Sequence, residues 1–132
     1  SNVLEMGTGS GYQTAILKAM NVEIYTIERQ RELFKKTQRL FDQIGLRPKQ
    51  YLLGDGYLGL PDQAPFDAVL VTAGAPFVPK ALLSQLKVGG RLVIPIGDDP
   101  QIMHRCTRTG EKTFDKETFG EFRFVPMLKD KS

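Results

Sequence analysis

The sequence has little of several residue classes, and each shortage excludes something. One cysteine, Cys106, and one histidine, His104, in 132 residues exclude an intramolecular disulfide framework and a Cys-rich zinc site. No metal is expected. The longest apolar runs, at residues 67–75 and 91–96, fall far short of the roughly 20 residues that a membrane-spanning helix needs, so no membrane partner is expected. Internal repeats and low-complexity tracts are missing. Charge of one sign is scarce too, since 18 Lys and Arg against 15 Asp and Glu leave a net charge of +3, a weak basis for nucleic-acid binding. Thirteen glycines and 8 prolines are too few for a collagenous or disordered chain.

What is present, 41% hydrophobic and 25% charged residues, is the composition of one globular domain over residues 1–132, of a size that buries about two-thirds of its unfolded surface. A reducing cytoplasm is the expected compartment. The chain enters a strand-like run at once, Asn2-Val3-Leu4-Glu5-Met6, with no cap or charged leader. The expectation is therefore a domain truncated at its N-terminal side.

Short apolar runs alternate with helix-length segments, the pattern of an α/β domain with a largely parallel sheet. Strands are expected near residues 3–6, 22–27, 50–53, 66–72 and 91–96, and helices near 12–20, 32–44 and 79–86. The second helix is the clearest, because Leu33, Thr37, Leu40, Phe41 and Ile44 recur at helical spacing and Gly45 follows, where a left-handed C-terminal residue belongs. Residues 98–132 change character. Two antiparallel edge strands are expected there, near 101–109 and 122–126, separated by a polar stretch at 110–118.

Gly7-Thr8-Gly9-Ser10-Gly11 lies between the first strand and the first helix, where glycines let backbone amides approach a ligand at a helix N-terminus. The bland alternative is a tight turn that binds nothing. Dinucleotide loops space their glycines G-x-G-x-x-G around a pyrophosphate, whereas here the spacing is G-x-G-x-G and an acid, Glu5, precedes the first glycine by two residues. An acid at that mouth repels phosphates but suits a ligand with an ammonium and a sulfonium, such as S-adenosyl-L-methionine. The second strand ends at Glu28, where a carboxylate can accept both ribose hydroxyl protons, a feature that fits NAD equally well. After the third strand, Gly54-Asp55-Gly56 offers a second acid that could accept from an adenine amine, or serve as an ordinary turn aspartate.

Residues 3–15, Val3-Leu4-Glu5-Met6-Gly7-Thr8-Gly9-Ser10-Gly11-Tyr12-Gln13-Thr14-Ala15, resemble the first motif of protein-L-isoaspartate O-methyltransferases. Further blocks are similar to that family's, in its order: Gly54-Asp55-Gly56-Tyr57, Ala64-Pro65-Phe66-Asp67, Val71-Thr72-Ala73-Gly74-Ala75-Pro76, Gly89-Gly90-Arg91-Leu92-Val93-Ile94-Pro95 and Phe119-Gly120-Glu121-Phe122-Arg123-Phe124-Val125-Pro126. The resemblance covers nearly the whole chain. Two departures stand out: Gly74 occupies a position where alanine is common, and the family's hydroxyl-bearing Thr-Ile-Ser-x-Pro stretch is absent from this sequence. The resemblance implies a Rossmann-like class I methyltransferase sheet, strand order 3-2-1-4-5 plus C-terminal antiparallel strands, with helices on both faces. It implies that Gly7, Gly9 and Gly11 line the methionine part of the cofactor, that Glu28 holds the ribose, and that Asp55 with Gly56 holds the adenine; Glu5, Thr8 and Ser10 are expected among the cofactor-binding residues. Substrate contacts fall on Thr72, Ala73 and Val125. The partners implied are proteins and peptides containing isoaspartyl residues, methylated as a first step of repair by an enzyme that is a monomer when complete.

The turn at Thr72-Ala73-Gly74-Ala75-Pro76 carries no general base. An isoaspartyl α-carboxylate, with a pKa of roughly 3.5, is ionised at neutral pH and needs positioning, not deprotonation. Other features read as structure: His104 as a strand residue, Cys106 as a small buried hydrophobe with no second histidine to activate it, and Arg29, Arg31, Lys35, Lys36 and Arg39 as a solvated helix face. The competing readings are a class I methyltransferase for another acceptor such as RNA, an NAD-dependent oxidoreductase, and a segment that binds cofactor without activity.

Overall fold

A computed structural model describes residues 1–9, 11–98 and 100–122, and for Tyr12 and residues 120–122 the backbone alone. Seven strands form one sheet in the order β3-β2-β1-β4-β5-β6-β7. The parallel part comprises β1 (Asn2–Met6), β2 (Glu23–Glu28), β3 (Gln50–Leu53), β4 (Phe66–Val71) and β5 (Leu86–Ile96). β6 (Gln101–Arg108) and β7 (Phe114–Phe122) extend it antiparallel beyond β5. The expected order and class therefore hold. β1 lies between β2 and β4 with Val3, Leu4, Glu5 and Met6 all buried, as a parallel strand covered on both faces requires.

The pairing register shows what covers each face. Glu5 pairs with Thr26 and Thr26 with Tyr51, so these three share a face. Gln13 and Thr14 of α1 (Tyr12–Ala19) bond Glu5 there, and Phe34 and Phe41 of α2 (Arg31–Ile44) pack on the Tyr51 ring. The other face carries Leu4, Met6, Ile27, Val69, Leu92 and Ile94, and Leu82 of α3 (Lys80–Ser84) completes that cluster. Each such buried aliphatic side chain contributes about 1.5–3 kcal/mol relative to exposure. Helices thus lie on both faces.

Between β3 and β4 the chain makes two short 3-10 turns, Gly56–Leu58 and Pro61–Gln63. The buried Gln85 fastens them to the end of α3, accepting from the Leu60 N–H at 2.9 Å and donating to the Leu58 carbonyl at 2.9 Å.

Three expected boundaries need correction. α3 ends at Ser84 and β5 begins at Leu86, not residue 91. Gly89-Gly90 interrupts no strand. It sits at a register shift between β4 and β5, and a Cβ on Gly90 would lie 2.9–3.1 Å from the carbonyl oxygens of Lys87, Phe66 and Asp67, so glycine is what allows the backbones to approach. Among the described residues, the last strand begins at Phe114, inside the stretch expected to be a polar connection; the strand expected near 122–126 lies, beyond Phe122, outside the described residues. β7 is the edge strand of the described sheet, and its side chains at 114–119 are exposed, so it presents no apolar face there, and charged residues suit such an edge. Pairing with β6 holds it, helped by Arg105, which bonds Glu117 at 2.7 Å and lies 5.0 Å from the Phe119 ring centre.

Candidate active site

The chain leaves β1 through Gly7, whose N–H donates to the Ile27 carbonyl at 2.8 Å. Gly7, Gly9 and Gly11 all have positive φ, +93°, +57° and +84°, a region that L side chains rarely adopt. Packing reinforces the requirement at Gly11, where a Cβ would lie 2.7 Å from the Phe41 ring and 2.9 Å from the Thr37 methyl. The Gly11 N–H returns to the Thr8 carbonyl at 2.9 Å, closing the loop before α1 begins.

Beneath this loop is a buried polar network. Glu5, expected at the mouth of the loop, is fully buried, and its carboxylate accepts from the Thr14 hydroxyl, from Thr26 Oγ1 at 2.7 Å and from Gln13 Nε2 at 2.9 Å. Because Thr26 donates to Glu5, the Thr8 hydroxyl is the donor in the 2.6 Å contact between Thr8 and Thr26. Burial raises the Glu5 pKa, the three donors oppose that shift, and the nearby Glu28 adds to it. In place of an open acid, Glu5 is an anchor joining β1, β2 and α1 under the glycine loop.

Glu28 closes the loop from the end of β2. Its Oε1 accepts from the Gly9 N–H at 2.8 Å and its Oε2 from the Gln30 N–H at 2.9 Å. The side chain is buried, yet each carboxylate oxygen keeps a second lone pair. The Glu28 carbonyl accepts from the Gly54 N–H at 2.9 Å, which sets Asp55 at the neighbouring strand end. Asp55 is exposed and caps the first 3-10 turn, accepting from the Tyr57 N–H at 3.0 Å. Gly56 is buried on Met6, whose side chain stands where a Cβ would go. Burial raises the Tyr57 phenol pKa, with Asp55 adding to the effect and Arg29 opposing it.

On the other side of the loop, Thr72 follows β4 and donates its hydroxyl to the carbonyls of Gly7 at 2.9 Å and Met6 at 3.1 Å. Three residues on, the Ala75 N–H donates to the Pro95 carbonyl at 3.0 Å, and the Gly97 N–H to the Ala75 carbonyl at 2.9 Å. The turn holding half-buried Ala73 is therefore tied to the ends of both β1 and β5. The structure gathers the glycine loop, Glu28, Asp55 and the Thr72 turn at the carboxyl ends of β1, β2, β3 and β4. That is where open α/β sheets bind ligands, at the switch point between β1 and β4.

The family model described as protein-L-isoaspartate(D-aspartate) O-methyltransferase matches residues 1–132. The chain belongs to the protein-L-isoaspartate O-methyltransferase family. Relatives of that name from Flavobacterium johnsoniae and Christiangramia forsetii are 59% and 60% identical over 130 residues, 98% of this chain. The chain spans about 61% of the length of these curated relatives. Among solved structures, one named protein-L-isoaspartate O-methyltransferase superposes with a TM-score of 0.89 at 27% identity, covering 98% of this chain and 42% of that one. An rRNA methylase from Streptococcus thermophilus is less similar, with a TM-score of 0.60 at 26% identity over 74% of this chain and 61% of that one.

Within this chain, Ser10 and Val125 lie outside the described residues. The remaining expected site residues cluster at one end of the sheet, but Glu5 and the Thr8 hydroxyl point into the buried network beneath the loop. Sequence reading missed Thr26, Thr14 and Thr37. The only signal was that threonines occupied positions facing a core, where an apolar residue is ordinary.

Proposed function

We propose that this chain carries the S-adenosyl-L-methionine-binding core of an enzyme that methylates the α-carboxylate of L-isoaspartyl residues in damaged proteins. The observation that carries this reading is the hydrogen bond from the Gly9 N–H to Glu28 Oε1, which joins glycine loop and acid into one surface at the carboxyl ends of β1 and β2. Such a surface suits a ribose, and exposed Asp55 at the next strand end can accept from an adenine amine. S-adenosyl-L-methionine, when bound, supplies an electrophilic sulfonium methyl and leaves as a neutral thioether.

The chain's own part is positioning. The Thr72 turn has small side chains without an ionisable group from Thr72 through Pro76, which leaves room for a peptide backbone. An attacking carboxylate has no proton to lose, so in-line placement at about 3–3.5 Å carries the rate. The higher TM-score with the isoaspartate enzyme than with the rRNA methylase supports the carboxylate acceptor over RNA.

The test compares an isoaspartyl peptide with its aspartyl counterpart as methyl acceptor, using a protein of the relatives' full length that contains this segment. Transfer to the isoaspartyl peptide alone is expected, because only the backbone path differs between the two. Equal transfer to both would overturn the acceptor. In parallel, S-adenosylhomocysteine is expected to raise the melting temperature and NAD is not. The reverse order would overturn the cofactor.

A further inference from the structure

Gly9 is held at both of its backbone polar groups, and only one of the two holders belongs to the proposed cleft. Its N–H is bonded by Glu28, while its carbonyl accepts from Thr37 Oγ1 at 2.7 Å. Thr37 is buried in the middle of α2, 28 residues away in the chain. A threonine inside a helix ordinarily returns its hydroxyl to a carbonyl of the preceding turn. This one leaves its helix for the glycine loop, and its methyl group also stands against Gly11.

The helix that presents Thr37 is firmly seated. Tyr51 of β3 stacks on Phe34 with ring centres 4.3 Å apart, meets Phe41 edge-on at 5.3 Å, and donates its hydroxyl to the Phe34 carbonyl at 2.9 Å. Phe34, Thr37 and Phe41 lie on one face of α2, one turn apart. The donor to Gly9 therefore sits on a rigid element docked against the sheet.

We propose that Thr37 is a positioning residue for cofactor binding: by fixing the Gly9 carbonyl from the α2 side, it orients the Gly9 N–H toward Glu28 and so presets the loop and the acid together. Thr37 acts through Gly9 and Glu28 and need touch no ligand. Without its hydroxyl, the Gly9 carbonyl loses its partner, and the Gly9 backbone can turn its N–H away from Glu28. A ligand must then reorder the loop as it binds, and affinity falls by that cost. This inference rests on the cofactor reading proposed above.

Titration with S-adenosylhomocysteine tests it in a protein of the relatives' full length that contains this segment, with Thr37→Val, which keeps the shape and removes the donor, and Thr37→Ser, which keeps the donor. The valine variant is expected to bind roughly five- to tenfold more weakly, the equivalent of one neutral hydrogen bond, and the serine variant to stay within about twofold of the parent. In the methyl-transfer assay of the full-length protein, Thr37→Val is expected to raise KM for S-adenosylmethionine and leave kcat unchanged. Phe34→Leu, which removes a stacked ring but leaves the Thr37 hydroxyl, serves as the structural control: it should lower the melting temperature without matching the affinity loss. Unchanged binding by Thr37→Val, an equal loss in Phe34→Leu, or no rescue by serine overturns the role of Thr37. Failure of the full-length parent protein to bind S-adenosylhomocysteine at all overturns the cofactor reading itself. Should Thr37→Val not fold, Thr37→Ala is read against Thr37→Ser in the same way.

Discussion

Gln101 fills the space that a side chain at position 74 would need. Its buried amide stands where a Cβ on Gly74 would be placed, with Cδ 2.8 Å from that position and the Gly97 carbonyl oxygen at 3.3 Å. The departure from the alanine common at this position thus has a steric cause within the chain. Gly74→Ala should cost about 1–3 kcal/mol of stability, the range for overpacking. Shortening the opposing side chain in Gly74→Ala/Gln101→Ala should return part of that loss as a coupling energy. Urea unfolding of the two single variants and the double variant measures it, and strictly additive effects would show that the two residues do not compete for the same space.

Two glycines with similar backbones should respond differently to alanine. Gly11 and Gly45 have φ of +84° and +72°, but a Cβ at Gly11 meets Phe41 and Thr37, while nothing lies within 4 Å of one at Gly45. Gly45→Ala should cost only the left-handed backbone term, about 1–2 kcal/mol, and leave S-adenosylhomocysteine affinity untouched. Gly11→Ala should lose more stability and most of the affinity, because it pushes α2 away from the loop. Equal losses in melting temperature would show that packing against α2 is not what fixes Gly11.

Much of this was legible in the sequence. The largely parallel sheet follows from the alternation of apolar runs and helices, the order of its strands only from the family resemblance, and the loop from three glycines at the end of the first strand. Other parts were not. Glu5 read as a cleft residue because its distance from the glycines is visible in sequence, while the hydroxyls that surround it come from Thr14 and from Thr26 on another strand. The start of β7 was not legible because a strand whose residues 114–119 are exposed on both faces owes its existence to its neighbour and not to its own pattern. Thr37 looked like a filler of the α2 apolar face until Gly9 was found opposite its hydroxyl.

Glu5 should make stability fall as pH rises. Burial lifts its folded pKa above the ordinary value of 4.5, so between these two values the folded state binds more protons than the unfolded one. The favourable contribution is present below pH 4.5 and is lost as pH climbs through the raised folded value. Glu5→Gln removes this titration, so the stability of the variant relative to the parent should grow over that window and then level off. His104, whose pKa burial lowers, tilts the profile the opposite way below 6.5, and Asp67, held low by the Asn2 N–H, acts below 3.8. Both are common to the two proteins and cancel in the difference. A difference that does not vary with pH would mean that Glu5 titrates as an ordinary carboxylate.

Glu28→Ala should weaken S-adenosylhomocysteine binding by about 1.5–3 kcal/mol, the usual range for hydrogen bonds to a charged group, or roughly tenfold to a hundredfold and more in Kd. Two losses combine in this variant. The proposed ribose acceptors disappear, and the N–H groups of Gly9 and Gln30 lose the carboxylate that they bond at 2.8 and 2.9 Å. Glu28→Gln separates these contributions, because an amide has one acceptor oxygen and its NH2 would face a second N–H donor, so it should disturb the loop almost as much as alanine does. Asp55→Ala should cost less, since Asp55 is exposed and its bond to the Tyr57 N–H is a local cap. Calorimetric titration of the three variants checks the order. Asp55→Ala weaker than Glu28→Ala would move the main cofactor contact from the end of β2 to the end of β3, and unchanged binding in Glu28→Ala would mean that the bond from Gly9 to Glu28 holds the loop without meeting the ligand.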